Sequence, residues 1–355
     1  MEVGIRSVLL LTLAAGAGWL AQRLSFPLPW MIGPMLVTAA IGIARGAPPV
    51  QWYYRPIGQV VVATAVGLAF TREALGELID HGGYMVAGAL LTIAAGYLAA
   101  LMLVRLANTD GTTAFFASMP GGPVEMASMA EKYGVSGGPV ALAQTLRIAG
   151  IVLFIAPVLL WSQGALRPNL PRFDGALHVK GLLLLYVVAI AAAVTFKKLR
   201  LSNAFFLGPV AATAALTASG VTLSAIPLPV LAAGQILLGV SLGSRFDREK
   251  LVGAGSYILA ASASTAVLLT LCLLIAAALA RLSGTPLPGL VVSTAPGSVT
   301  EMALTAKALH EPVAMVTAYH LVRIFILIPL AAVLYQVFRK MTGTRVRFAS
   351  GSDTK

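Results

Sequence analysis

Charge is what this chain has least of. Only 11% of its 355 residues are Asp, Glu, Lys or Arg, against roughly 25% in a soluble domain. So few charges cannot cover a water-facing surface, which excludes an ordinary soluble globular fold. Cysteine is nearly missing as well. Cys272 stands alone in an apolar run, which excludes an intramolecular disulfide or a thiolate metal site. Histidine is scarce, and His81, His178 and His310 fall beside loops. With no clustered carboxylates near them, they form no recognisable copper or iron ligand set, so neither a metal nor another cofactor is expected. Ten-residue stretches of alternating polarity, the mark of a membrane β-barrel, do not occur.

Acidic residues are the scarcer charge, 13 against 25 basic, for a net charge of +12. An excess of this size can mark a nucleic-acid binder. Here the Lys and Arg sit in short loops between apolar runs, where they orient spans, and no recognition-helix or zinc-finger pattern accompanies them. Nucleic acid is not an expected partner; the lipid bilayer is.

What the chain has in abundance is apolar length. It is 58% hydrophobic, with mean hydropathy +0.88, and windows long enough to cross a bilayer recur throughout. Lipid satisfies no backbone polar groups, so such runs must span as helices. The expected fold class is an all-α, multi-pass integral inner-membrane protein. The first run, 5–22, with Arg6 before it and Ala15-Gly16-Ala17 at its end, resembles a leader peptide. Its counterpart at 181–196 is internal, so 5–22 reads as a retained span.

An internal repeat organises the rest. At an offset of 176, Gly58-Gln59 through Leu75 align with Gly234-Gln235 through Leu251, with seven identities in 18 positions. The same offset aligns Pro120-Gly121, Glu125-Met126-Ala127 and Arg147-Ile148 with Pro296-Gly297, Glu301-Met302-Ala303 and Arg323-Ile324. One offset held across two separated blocks indicates duplication. The expected organisation is a first membrane repeat at 1–161, a linker at 162–180, a second repeat at 181–338 and a basic cytoplasmic tail at 339–355. Expected spans are 5–22, 29–44, 57–70, 83–106 and 137–161, then 181–196, 205–219, 229–243, 255–281 and 312–338. Each unit also holds an apolar segment, 112–133 and 289–309, broken by proline and glycine.

Charge counting bears on topology. If the broken segments cross fully, twelve spans result, the copies are parallel, and Lys and Arg, leaving out Arg147 and Arg323 within spans, divide 13 to 10 between the two sides. If the segments are re-entrant, ten spans and two inverted copies result, and the division is 16 to 7 in favour of the side with both termini. The positive-inside rule favours the second arrangement, with cytoplasmic termini.

The chemistry concentrates in one polar set that recurs in both units. Gly121, Gly122, Glu125, Gln144 and Arg147 match Gly297, Ser298, Glu301, His320 and Arg323. A charge at the bilayer centre costs several kcal/mol, roughly 2.5–3.5 on insertion scales, so it needs a partner or a wet cavity. Gln144 and Arg147, like His320 and Arg323, lie three apart and share a helix face. Glu125 and Glu301 fall in the first turn after each break, where unpaired backbone donors and the helix dipole carry positive charge. Broken helices meeting near the midplane are how many secondary transporters build a solute site. In that reading the glycines and Ser298 present backbone to a small solute and the arginines supply positive charge. Glu125, Glu301 and His320 then carry a coupling proton or cation. In a purely structural reading each glutamate pairs with an arginine to lock the units. Gly33-Pro34 and Gly208-Pro209 also recur, as do Gln59 and Gln235; these read as sites of helix packing and interhelical bonding.

Pro-Gly-x-x-x-Glu-Met at 120–126 and 296–302, Arg147 and Arg323 downstream, Leu28-Pro29-Trp30-x-x-Gly33-Pro34 and the twofold repeat together resemble the AbrB family of duplicated bacterial membrane proteins. This is distinct from the soluble DNA-binding regulators that share the name. The resemblance implies a membrane protein labelled a regulator of gene expression or an ammonia monooxygenase. The monooxygenase label finds no metal ligand set in this sequence, and no enzyme is expected. The expected function is secondary transport of a small polar or anionic solute, with regulation without transport as the alternative and a homo-oligomer as a possible assembly.

Overall fold

The computed structural model describes residues 2–26, 28–162, 177–201, 203–221, 223–252 and 254–342. Most of the expected linker, 163–176, and the tail from 343 lie outside these residues. Among the described residues the chain is helical, with no strand. The first half carries α1 (Glu2–Arg23), α2 (Pro29–Arg45), α3 (Tyr54–Gly67), α4 (Arg72–Asp80) and α5 (Gly82–Ala107). It continues with α6 (Gly111–Ser118), α7 (Pro123–Lys132) and α8 (Gly137–Gly150), which runs through a π-helical turn, Ile151–Ile155, into α9 (Ala156–Ser162). The second half carries α10 (Val179–Lys198), α11 (Ala204–Ala218), α12 (Leu228–Gly243), α13 (Arg248–Leu251), α14 (Gly255–Ser283), α15 (Leu287–Thr294), α16 (Val299–Ala308) and α17 (Val313–Thr342). Moving α6 and α7 forward by 176 residues gives the bounds of α15 and α16.

Among the described residues, six stretches are long and apolar enough to cross a membrane: 5–23, 82–107, 137–161, 179–198, 255–283 and 313–342. The expected spans over α2, α3, α11 and α12 are shorter, at 14 to 17 residues. At 1.5 Å per residue they rise only about 21–26 Å, less than the roughly 30 Å hydrocarbon thickness. Their position explains the shortness. α2 packs on α12, and α3 packs on both α11 and α12, so these helices meet protein more than lipid. Met31, Ile32, Val62 and Ala63 are fully buried there. α10 lies outside them, and its Leu183, Val187 and Ile190 are exposed, as side chains facing lipid should be.

Small residues allow the close approach. A methyl group on Gly33 would collide with the Ala17 carbonyl of α1, and one on Gly208 with the backbone of Ala192 in α10. Gly33-Pro34 and Gly208-Pro209 are thus tight helix crossings. α3 and α12 cross where a Cβ on Gly58 would lie 2.7 Å from the carbonyl oxygen of Gly234, its own counterpart 176 residues on.

Two further relationships position the site. First, α5 and α14 pack antiparallel. The hydroxyl of Tyr84, near the start of α5, donates to the Leu282 carbonyl near the end of α14 at 3.1 Å. Deeper in, the Ser264 hydroxyl donates to the Ala99 carbonyl at 2.9 Å. Second, the last long helix of each half is interrupted at the same place. The π-helical turn at 151–155 brackets Leu153, whose counterpart is Pro329, inside α17. Both devices loosen the regular ladder of backbone bonds. The charge-bearing helices α4 and α13 are additional to the expected spans. The side chain of Thr71 caps α4 by accepting from Ala74 N–H, and Asp247 caps α13 by accepting from Glu249 N–H.

Candidate functional site

Each broken segment is two short helices around a proline. α6 begins at an Asp110 cap, whose Oδ1 accepts from Thr113 N–H at 2.8 Å, and ends at Ser118. Met119 is extended, with φ −59° and ψ 138°, because the following proline ring disfavours the helical conformation at the residue before it. α7 restarts at Pro123, with Gly122 as its N-cap; proline suits the first helical position because its missing N–H would be unpaired there anyway. The second segment repeats this, with Ala295 extended and Ser298 as the N-cap of α16. At 8 and 10 residues, the helices reach only about 12 and 15 Å.

The two ends of each segment also lie close together. Thr109, Asp110 and Thr113, at the start of α6, line one cavity with Val135, Ser136 and Pro139, after α7, and with Tyr257 at the start of α14. Thr285, Pro286 and Gly289, at the start of α15, line another with Glu311 and Pro312, after α16, and with Glu77 and His81, just before α5.

The C-terminal carbonyls of α6 and α15 would be orphaned by the breaks. Buried arginines take them. Arg147 lies about 15 Å along its helix from Gly137 and donates to the carbonyls of Ser118 at 3.0 Å, Met119 at 3.1 Å and Gly121 at 3.4 Å. Arg323, at the matching depth in α17, donates to Ala295 at 2.9 Å and Gly297 at 3.0 Å. Both arginines are almost wholly buried. The pairing of each arginine with a glutamate, one expectation from the sequence, is not how they are held; backbone oxygen holds them.

Gln144 and His320 complete this arrangement in the same way. The Gln144 carbonyl oxygen accepts from Arg147, while its amide donates to Phe116 O at 2.8 Å and Met119 O at 2.9 Å. His320 Nδ1 lies 2.7 Å from Arg323 Nη2, and its Nε2 lies 3.1 Å from Val292 O. Phe116 and Val292 are counterparts at the offset of 176. Arginine can only donate and a carbonyl can only accept, so His320 is neutral with its proton on Nε2.

The glutamates turn back on their own helix starts. The Glu125 carboxylate covers Gly122, filling the space a Cβ there would need. Glu301 accepts from the Ser298 hydroxyl, joining the residue types of a capping box. Between the two tips lies a small cavity lined by Gly121, Gly122 and Glu125 from the first segment and Ser298 from the second, with Arg55 and Asn203. Its open space is about 30 Å³, enough for a water or two. Gly297, Glu301, Gln144, Arg147, His320 and Arg323 do not line it; they hold or flank the tips.

Arg55 and Asn203 escape the sequence analysis. Asn203 adopts a left-handed conformation, φ 55°, just before α11, and its Oδ1 accepts from Gln59 Nε2 at 2.8 Å. Gln59 was visible as a recurring polar residue. Arg55 was not, because its counterpart is Leu231 and a search for matched pairs passes over it.

Comparison with known proteins adds a family. A family model described as "Transition state regulatory protein AbrB" matches residues 30–339. The chain is similar to "Uncharacterized protein YhjN" of Bacillus subtilis (strain 168), 23% identical over 96% of this chain and 95% of that protein. It is also similar to "Putative regulator AbrB" of Escherichia coli (strain K12), 26% identical over 89% of this chain and 90% of that protein.

Proposed function

Within the AbrB family, to which this chain belongs, we propose that the protein is a secondary transporter of a small polar or anionic solute in the bacterial inner membrane. The observation that carries this reading is the shared cavity between the tips. Gly121, Gly122 and Glu125 meet Ser298 there, although the two segments are 176 residues apart in sequence. A helix break deep in a membrane protein exposes backbone donors and a dipole end, and a pair of them around one cavity is a means of holding a desolvated solute.

The reading takes the two units as inverted copies, with ten spans and two re-entrant hairpins. Antiparallel packing of the matched helices α5 and α14 supports this. So does the placing of the hairpin bases, one beside the start of α14 and the other beside the start of α5. Opposed hairpins of this kind allow alternating access, in which one side of the cavity opens while the other closes. The small size of the cavity suits a closed, occluded state. Arg147 and Arg323 contribute fixed positive charge behind the tips, and Glu125 is placed to exchange a proton or cation with the cavity. Both termini lie in the cytoplasm in this arrangement.

The test is flux. The purified protein in proteoliposomes should show gradient-driven uptake or efflux of a small carboxylate, amino acid or amine that empty vesicles lack. Absence of flux across all three classes, under both pH and sodium gradients, would remove the transport reading. The word "regulator" in the name of the Escherichia coli relative favours a second reading, in which the protein affects gene expression. A reporter that responds to Glu125→Gln in cells, with no flux in vesicles, would favour it.

A further inference from the structure

We propose that Arg55 is the recognition residue of the cavity between the tips, and that the solute it selects is a small oxyanion carrying a carboxylate or phosphate group. The inference rests on the reading of this cavity as the solute site and specifies the class of solute.

Arg55 lies in the first turn of α3, lines the same cavity as the tips and is only partly buried. Its Nη1 is nevertheless sealed from solvent without a hydrogen-bond partner. A guanidinium N–H is a strong donor, and leaving one unpaired inside a protein is unfavourable. Arg147 and Arg323 also bury an unpartnered Nε, but their terminal nitrogens are committed to backbone carbonyls and neither side chain lines the cavity. Arg55 is therefore the guanidinium that lines the cavity with a donor to offer.

The local charge points the same way. Arg245, in the turn after α12, lies within electrostatic reach of Arg55, Glu125 and Glu301. Arg147 lies within reach of Arg323. Around the tips stand Arg55, Arg147 and Arg323 with Glu125 and Glu301, an excess of one positive charge. The helix starts at Gly122 and Ser298 add partial positive charge. A cationic solute would increase this imbalance, whereas an oxyanion relieves it and gives Arg55 an acceptor. Its two oxygens match the planar fork of a guanidinium, which an ammonium group cannot reproduce.

Arg55 also breaks the twofold match. Its counterpart is Leu231, and that of Arg245 is Ala69. The charged end of the solute is thereby held on the side of the cavity formed by α3.

The experiment follows thermal unfolding of the purified full-length protein in detergent, at fixed ionic strength, with sodium acetate, sodium phosphate, ethylammonium chloride or sodium chloride. Acetate or phosphate should give a saturable rise in Tm that the two chloride salts do not, and whichever acts identifies the group recognised. Arg55→Gln should abolish the rise. Arg55→Lys, which keeps charge but loses the fork, should weaken the apparent affinity at least five-fold. An unchanged rise in Arg55→Gln overturns the inference, as does a response to ethylammonium alone. If Arg55→Gln does not fold, unchanged affinity in Arg55→Lys overturns it. Counterflow in proteoliposomes separates this inference from the transport reading. Arg55-dependent stabilisation without flux removes transport and leaves the oxyanion site. Flux with an unaltered KM in Arg55→Gln removes the role of Arg55 and leaves transport.

Discussion

His320 stands to Arg323 as Gln144 stands to Arg147. In each pair the residue three positions earlier accepts from the guanidinium and donates to a carbonyl of the facing short helix, Val292 in one case and Phe116 in the other. An imidazole and an amide are chemically unlike, but the neutral form of each offers one acceptor and at least one donor at similar separation. The substitution between the units therefore preserves the network.

His320→Gln should then be tolerated, with Tm within a degree or two of the parent and flux retained. His320→Ala removes an acceptor from a buried charge and a donor from a buried carbonyl, so it should destabilise by about 1–3 kcal/mol. Thermal unfolding of both variants checks this. Loss of flux in a well-folded His320→Gln would show instead that the imidazole takes part in proton movement.

Arg147 and Arg323 should not tolerate lysine. A lysine keeps the charge but cannot span several carbonyls with a planar fork. Arg323→Lys is expected to lower stability by about 2–3 kcal/mol, the scale of charged buried hydrogen bonds, and to raise protease sensitivity at the break, 295–298. Protection at that break equal to the parent would count against the arginine as its anchor.

Glu125 and Glu301 should separate by role. Glu125 lines the cavity, whereas Glu301 faces Ser298 and does not line it. Glu125→Gln should fold normally and reduce flux at least ten-fold. Glu301→Gln should lose about 0.5–1 kcal/mol of stability, because it removes a carboxylate from the first turn of α16 and weakens the bond from the Ser298 hydroxyl, with a smaller effect on flux. Equal flux defects at equal stability would contradict this division.

Gly58→Leu should disrupt the crossing of α3 and α12. The Cβ would meet the Gly234 carbonyl oxygen and the Leu238 side chain, and overpacking of this kind costs about 1–3 kcal/mol or more. Gly76→Ala, in the amphipathic α4 with open space around it, serves as a control and should be neutral or slightly stabilising. Expression level and Tm in detergent distinguish the two.

Single cysteines test the topology. Ser136 and His310 are exposed residues at the bases of the two hairpins. With inverted copies, a membrane-impermeant thiol reagent should label Ser136→Cys and His310→Cys from opposite faces of the membrane. The natural Cys272 is buried and should stay silent. Labelling of both from one face would require parallel copies.

Much of this protein was legible in one dimension. The helices over 82–107, 179–198 and 255–283 follow apolar runs whose limits the sequence marks within a few residues, because a helix meeting lipid must be apolar along its whole length. The breaks at Pro120 and Pro296 were equally plain, since proline and glycine act on the backbone where they stand. Other features escaped. α4 and α13 carry charge and no long apolar run, so nothing distinguished them from loops. The short runs of α3 and α12 were visible along the chain, but the helices they pack against were not, because no window reports a neighbour distant in sequence.

The sequence by itself determined the matches at an offset of 176, the breaks and the set of matched polar residues, because each is a property of residues at fixed spacing along the chain. Tertiary structure decided their partners. It gave Arg147 and Arg323 to carbonyls rather than to Glu125 and Glu301, made Gln144 and His320 equivalent, and brought Arg55 to a cavity formed by residues far apart in the chain. The physical reason is that a buried donor takes whichever acceptor the packing of helices brings within about 3 Å, and that choice depends on how distant segments approach one another.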